Sequence, residues 1–224
     1  MISVIIPALN EAANISTCIE AVCAEGGEIE IIVADGGSTD NTRPLASGYP
    51  GLKVVESKRG RGIQMNTGAF AASGDVFIFL HADTTLEKGW SQSIRETLED
   101  GSFAGGAFTF SVDNPSSKYR LVEAWVQMRC ALFGLPYGDQ AIFIRKDIFR
   151  ILGGYRDIPL MEDVDLIGRM KKIGRIAILD KKAFTSGRRW TENGLVKTAS
   201  VNQITMLLYK LGVSPERLYR LYYR

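Results

Sequence analysis

The chain carries one histidine and three cysteines, Cys18, Cys23 and Cys130, with no CxxC spacing among them. That argues against a zinc site, and an odd number of scattered thiols reads as small core hydrophobes in a reducing cytosol, not as disulfides. No uninterrupted apolar run is long enough to span a bilayer. The opening MISVIIPALNE lacks the basic start, long apolar stretch and small-residue cleavage site of a signal peptide. The expectation is a cytoplasmic protein without a transmembrane segment. Excess charge is missing as well: 27 Lys and Arg against 25 Asp and Glu leave a formal net charge of +2. With no basic run, nucleic acid is not expected as a partner. There is no GxxxxGK[ST], which excludes a P-loop. The first strand runs into Ala-Leu-Asn-Glu, not GxGxxG, so a dinucleotide reading fails too.

What is present is a recurring pattern. SVIIPALNE, IIVADGGSTD and VFIFLHADTT are each an apolar run that breaks into a polar turn bearing a carboxylate: Glu11, Asp35 and Asp83. Buried parallel strands read as continuous apolar runs, and in open α/β sheets ligands bind beyond the carboxyl ends of the strands. Acids at successive strand ends therefore predict one crevice suited to a ribose, a base edge and a metal ion.

The periodicity predicts strands at 2–8, 28–34, 52–56 and 76–80. Helices are expected at 14–24, over a short stretch capped by Ser38 or Asp40, from the glycine-rich turn 59–62 to about 73, and at 87–99. This alternation implies right-handed crossovers and a mostly parallel sheet. The second half is more mixed: strands at 105–112, 140–145 and 175–179, helices at 117–133 and 161–173. The tail is helical from about 191, with Pro215 opening a last helix over 215–224. At 224 residues the chain fits one domain, with a nucleotide-binding half (1–100), an acceptor-side half (101–190) and a helical C-terminal extension (191–224).

Eight segments in succession, SVIIPALNE, VADGGSTDNT, GRGIQMNTGA, FLHADT, GDQAIFIRK, LGGY, MEDVDL and GRRW, resemble the ordered motifs of the family 2 inverting glycosyltransferases. The resemblance spans nearly the whole chain. It implies an α/β fold of the GT-A type, which binds nucleotide sugars on a mostly parallel central sheet flanked by helices. The wording of LHADT and GDQ is similar to a small bacterial subgroup associated with arsenosugar biosynthesis.

The resemblance assigns roles residue by residue. Pro7, Leu9 and Glu11 line the nucleoside, Glu11 accepting from ribose hydroxyls; the alternative is that Glu11 only favours a helix N-terminus. Asp35 accepts a uracil N3–H, or else merely shapes a turn beside Gly36 and Gly37. Gly60, Arg61 and Asn66 run beside the diphosphate, unless the arginines are simply solvated. Ala82 and Asp83 match the family's DxD motif, so Asp83 holds a divalent cation, Mn²⁺ or Mg²⁺. His81 replaces the first Asp of that motif; it is either a second ligand, which suits manganese, or structural. On the acceptor side stand Asp139, Gly154, Tyr155 as a platform for stacking sugars, Glu162, Arg189 and Trp190. Asp163 is the general base. If 161–173 is helical, Glu162 and Asp165 share a face and Asp163 points elsewhere.

The expected activity is EC 2.4, of the hexosyltransferase type: one sugar passes from a nucleoside diphosphate, with a lean to UDP, to a hydroxyl acceptor. Ser186 replaces the first residue of the family's [QR]xxRW motif, which argues against polymer synthesis. Two rivals are a sugar-phosphate nucleotidyltransferase and a catalytically silent nucleotide-binding module. The tail packs internally, forms a homodimer, or makes peripheral membrane contact through Tyr219, Tyr222 and Tyr223 beside Arg217, Arg220 and Arg224.

Overall fold

In the computed structural model the described residues are 1–114, 116–187 and 194–223, with the side chains of 195, 196 and 199 left out. The first half runs β1 (Ile2–Ala8), α1 (Ile15–Cys23), β2 (Ile29–Asp35), α2 (Thr42–Ser47), β3 (Lys53–Glu56), α3 (Arg61–Ala71) and β4 (Val76–Phe79). Then follow β5 (Thr84–Leu86), α4 (Trp90–Glu99), β6 (Phe103–Val112), α5 (Ser117–Phe133), β7 (Ile142–Arg145), α6 (Lys146–Ile151), α7 (Glu162–Met170) and β8 (Arg175–Thr185). Two further helices, α8 (Leu195–Lys210) and α9 (Pro215–Tyr222), form the tail.

All eight strands join one sheet in the order β3-β2-β1-β4-β7-β6-β8-β5. β1 pairs in parallel with β2 and β4, β2 with β3, and β6 with β8; β7 lies antiparallel between β4 and β6, and β5 antiparallel on β8. The chain leaves β1 towards β2 and β3, then crosses back through α3 to β4. The connections on either side of β1 thus diverge, which opens a crevice at the carboxyl ends of β1 and β4.

Alternation along each strand feeds both faces. Ile2, Val4 and Ile6 of β1 join Ile15, Cys18, Ile19, Trp90 and Ile94 in one core layer. Ile5 joins Met65, Phe77, Phe79, Phe149, Leu166 and Ile167 in the other. Helices α1, α2 and α4 therefore cover one face, and α3, α6 and α7 the other. A sheet buried on both sides explains why its strands read as unbroken apolar runs. The helix α3 comes unusually close: a Cβ on Gly68 would stand 2.5 Å from the Ile5 side chain.

Several expectations need correction. The helix expected from 87 begins at Trp90, because 84–86 is drawn into pairing with β8 and Gly89, at φ +84°, starts the helix. The strand expected from 140 begins at Ile142, since Gly138–Gln140 is a turn of 3₁₀ helix. The strand foreseen at 175–179 continues to Thr185 and carries β5 on its far edge. Cys18 and Cys130 are buried as expected, but Cys23, at the last turn of α1, is exposed.

Candidate active site

The crevice is an open cleft of about 710 Å³, walled by the turn after β1, the start of α3, the segment after β4, the Gly138 turn and the start of α7. Two loops are stitched together to form its first wall. Asn10 N–H donates to Ser38 Oγ (3.0 Å), Glu11 N–H to Thr42 Oγ1 (2.7 Å), Ala12 N–H to Asp40 Oδ2 (3.1 Å), and Thr39 N–H to Asn10 Oδ1 (2.9 Å). This places Pro7, Leu9 and Glu11 on the cleft, with the Glu11 carboxylate accepting from Asn14 Nδ2 at 2.7 Å. Behind the wall sits a residue that the sequence reading did not single out. Gln64 is buried, and its Nε2 donates to Ala8 O (2.7 Å) and Ala34 O (3.0 Å), clamping the ends of β1 and β2. A polar residue beside buried Met65, Gly68 and Ala69 was the available signal.

Asp35 is 3% exposed, takes N–H groups of Gly37 and Ser38 at 3.2–3.3 Å, and does not line the cleft. Gly60 and Arg61 do. Gly60 turns at φ +139° before α3 begins, and a Cβ on Gly62 would meet Arg156 O at 2.9 Å. The bare backbone lets the helix start close to the segment that leads into α7. Asn66 lies outside the cleft lining, holding the backbone of Tyr155 from both sides at 2.8 Å. Tyr155 is 3% exposed, its ring 4.8 Å from Phe79 and 6.0 Å from Phe149. It is core, not an exposed platform. Gly154 also lies outside the lining; its carbonyl accepts from Arg169.

His81, Ala82 and Asp83 follow β4 and all face the cleft. Burial, reinforced by the charge of Arg61, pulls the His81 imidazole down to a pKa of about 3, so it is neutral near pH 7. Opposite stands the Tyr137–Gln140 turn. Gly138 N–H donates to Asp163 Oδ2 at 2.6 Å, and a Cβ at Gly138 would stand 3.1 Å from His81 Nε2 and 3.4 Å from Asp163 Oδ2. This glycine is where the imidazole that follows β4 and the carboxylate of α7 converge. The turn is pinned by buried Gln140, whose Nε2 donates to Phe108 O (2.9 Å) while its Oε1 accepts from Arg129 Nη2 (3.1 Å) and Tyr137 N (3.2 Å). The Arg129 guanidinium lies 3.5 Å over the Tyr137 ring. Asp139, on the cleft wall, has one buried carboxylate oxygen, Oδ1, without a hydrogen-bond partner. Burial pushes its pKa up to about 6; Arg129 opposes the rise, and Asp163 and Asp83 add to it.

Met161 enters α7 at φ +69°, and the next two residues, Glu162 and Asp163, both line the cleft. Glu162 is 3% exposed and accepts from Arg61 Nη1 at 3.2 Å; burial raises its pKa against the pull of Arg61. Asp165 is turned away from the cleft onto Arg156 (3.0 Å) and Arg169 (2.7 Å). Glu162 and Asp163, not Glu162 and Asp165, therefore share the working side. Among the described residues, the three non-glycine positions with positive φ, Asn10, Ala141 and Met161, all sit in loops bordering this cleft. Such backbone costs about 1–3 kcal/mol each and gathers where geometry is imposed by the surroundings. Arg189 and Trp190 lie outside the described residues. The tail adds an unforeseen element: Tyr219, Tyr222 and Tyr223 border the cleft, and Tyr222 Oη donates to Asn202 Oδ1 at 2.8 Å. Arg224 lies outside the described residues.

Among the described residues no three His, Cys, Asp or Glu side chains cluster as a complete metal cage. Asp83 with neutral His81 offers one carboxylate and one imidazole. A carboxylate alone suits magnesium, and an imidazole beside it suits manganese better, so the set fits a divalent cation that the protein would hold only in part. No helix among the described residues is long and apolar enough to cross a membrane.

Comparison with known proteins agrees with the family resemblance. The sequence profile described as Glycosyl transferase family 2 matches residues 3–152. The chain is 28% identical over 168 residues to the Glycosyltransferase AglE of Haloferax volcanii, covering 69% of this chain and 55% of that protein. It is 31% identical over 163 residues to a PGL/p-HBAD biosynthesis glycosyltransferase of Mycobacterium tuberculosis, covering 69% of this chain and 63% of the relative. It thus spans little more than half to just under two thirds of the length of these relatives. Among solved structures, S. aureus TarS 1-349 superposes with a TM-score of 0.66 at 18% identity over 82% of this chain and 60% of that one. The glucosyl-3-phosphoglycerate synthase of Mycobacterium tuberculosis, in complex with Mn²⁺, UDP and glucosyl-3-phosphoglycerate, gives 0.64 at 22% identity over 95% and 80%. The architecture is the GT-A fold, and with a family match over 3–152 the chain belongs to glycosyl transferase family 2.

Proposed function

We infer that the protein is an inverting glycosyltransferase that moves a single sugar from a nucleoside-diphosphate donor, of the UDP-sugar type, to a hydroxyl acceptor. The observation that carries this reading is Asp163: its carboxylate is held by the Gly138 N–H at 2.6 Å in the same cleft as Glu11, His81 and Asp83. A transferase of this kind needs one base and no nucleophile of its own. Asp163 takes the proton of the acceptor hydroxyl, the freed oxygen bonds to the anomeric carbon, and the carbon–oxygen bond to the diphosphate breaks on the opposite side. The nucleoside diphosphate leaves with the electron pair. One carboxylate oxygen of Asp163 accepts from Gly138 and the other from Val164 N–H (2.7 Å), so both are aimed while each keeps a free lone pair for the proton.

Leu9 and Glu11 border the nucleoside, and Arg61 stands at an α3 start open to phosphate. Asp83, with neutral His81 as a neighbouring ligand, would hold a manganese or magnesium ion, which when bound offsets the charge gathering on the leaving diphosphate. A GT-A structure containing Mn²⁺ and UDP supports that choice. Asp139 and Glu162 face the reacting sugar and the acceptor. The HADT and GDQ segments favour the small bacterial subgroup associated with arsenosugar formation, acting on a small acceptor in the cytoplasm.

The test is an incubation with UDP-, GDP- and dTDP-sugars and manganese, reading free nucleoside diphosphate. Slow hydrolysis of one donor class is expected even without the true acceptor. Pyrophosphate release from a nucleoside triphosphate and a sugar phosphate would replace this reading with a nucleotidyltransferase; nucleotide binding with no turnover would replace it with a silent module.

A further inference from the structure

The helix α5 is apolar on two faces. Its inner side, Tyr119, Val126 and Cys130, packs on Phe110 and Val112 of β6. Its outer side presents Leu121, Trp125, Met128 and Leu132 at i, i+4, i+7 and i+11, with exposures of 77%, 45%, 46% and 67%. Phe133, 56% exposed, extends the stripe. An ordinary surface helix keeps one apolar stripe, turned inward. A second one running the length of a 17-residue helix marks a docking surface.

The charged side chains of α5 and α8 left exposed beside the stripe are basic. Lys118 flanks its start, next to Arg120, which is paired with Glu123 and the carbonyls of Val112 and Asn114. At its end, Lys171 Nζ donates to Phe133 O and Lys210 Nζ lies 5.3 Å over the Phe133 ring. Lys210 also brings the end of α8 to this corner, with Leu207 (58% exposed) and Leu211 (71%) next to it on that helix. The one acid of α5, Glu123, is buried and committed to Ser111, Val112 and Arg120. The α8 segment carries no acid at all.

We propose that this face docks on an anionic lipid bilayer. Leucine, tryptophan and phenylalanine enter the headgroup–acyl boundary while the lysines meet lipid phosphates, the distribution of an interfacial helix. A second copy of this chain is a poorer fit. Two-fold association would set the same stripe against itself, and Lys118, Lys171 and Lys210 would face cations with no exposed carboxylate on α5 or α8 to meet them. The placement also links the surface to the cleft. Only Gly134, Leu135 and Pro136 separate α5 from the turn at Tyr137, Gly138 and Asp139. A docked α5 holds the acceptor side of the cleft at the membrane surface.

Sucrose-loaded vesicles of phosphatidylcholine, with and without phosphatidylglycerol, test this by sedimentation. The protein is expected on the anionic vesicles at low salt and off them at high salt. Leu121→Glu/Leu132→Glu should abolish binding while its thermal unfolding stays at wild type, because both side chains are exposed. Lys171→Gln and Lys210→Gln should each weaken partitioning about fivefold. No sedimentation of wild type with anionic vesicles overturns the proposal, as does unchanged binding of the double-Glu variant. A dimer in analytical ultracentrifugation that the double-Glu variant dissolves, without vesicle binding, assigns the face to a second copy instead.

Discussion

Replacing Asp163 by Asn tests more than a catalytic role, because this carboxylate is also part of the architecture. Asp163 accepts from two backbone donors, Gly138 N–H at 2.6 Å and Val164 N–H at 2.7 Å. An asparagine has one acceptor oxygen, so its amide must turn an N–H towards one of those donors. The loss of one charge-assisted bond and the facing of two donors costs about 1–3 kcal/mol. For a domain of this size that lowers the melting temperature by roughly 2–4 °C per kcal/mol. Turnover should fall further, by about 10²–10⁴-fold, because the amide cannot take the acceptor proton. Asp165→Asn is the control: it disturbs the Arg156 and Arg169 pairs away from the cleft and should lower stability with little change in turnover per folded molecule. The assay is nucleoside diphosphate release beside a thermal melt of the same preparation. Asp163→Asn turning over like wild type while Asp139→Asn is inactive would move the base to the other side of Gly138. Full activity in both, and in Glu162→Gln, would refute carboxylate base catalysis on this wall of the cleft.

Three other outcomes follow from the same geometry. Manganese and UDP together should raise the melting temperature more than the sum of their separate shifts, any one ligand at a hundredfold excess over its Kd adding about 2.7 kcal/mol of stability, and Asp83→Ala should remove the synergy; a mutant that keeps it shows that Asp83 holds no cation. Asp139 has a native pKa raised from 3.8 to about 6, so the fold binds its proton more tightly than the unfolded chain does, and its contribution to stability is present below pH 4 and lost as pH rises through 6. Wild type minus Asp139→Asn, followed by urea melts, should fall by about 3 kcal/mol across that window; the difference cancels His81, whose lowered pKa acts with the opposite sign. Gln64→Ala removes the side-chain donor shared by the carbonyls of Ala8, which keeps the Gly36 N–H, and Ala34, and should cost about 1–3 kcal/mol in urea unfolding, with a shift under about half a kcal/mol counting against the clamp.

Much of this was legible in the letters because buried parallel strands leave a strong trace. Ile2–Ala8, Ile29–Asp35 and Val76–Phe79 are apolar runs ending in polar turns, and the turns after the first and third wall the cleft, while that after the second braces the first through Ser38, Thr39, Asp40 and Thr42. The motif order located the cleft walls at Glu11, Arg61, Asp83 and Asp163. What sequence could not give were contacts made by chain segments far apart. Gln64 bonds two strand ends 30 and 56 positions away, and Asn66 holds Tyr155 across 89. Tyr155 looked like a sugar platform because an aromatic beside glycines has the same letters whether it faces ligand or core; Phe79 and Phe149 decided it. Helical spacing alone paired Glu162 with Asp165. The first turn of α7 lies against the cleft through its N-terminus, where consecutive residues fan out, and two arginines claim Asp165.

Arg61 has one guanidinium and two anions to serve. In the structure it pairs with Glu162, a carboxylate buried to 3% exposure that no other basic side chain meets among the described ion pairs. A donor that draws Arg61 onto its diphosphate therefore strips Glu162 of its counter-charge, and a buried anion so exposed must recruit a proton donor. The group at hand is an acceptor hydroxyl. Filling one end of the cleft then raises the affinity of the other, and by reciprocity the two ligands strengthen each other by the same factor, about 5–150-fold for couplings of ordinary size. Mutual tightening becomes a property written into one ion pair: the acceptor dissociation constant measured beside UDP stands below the one measured without it, and that of UDP falls by the same factor beside the acceptor.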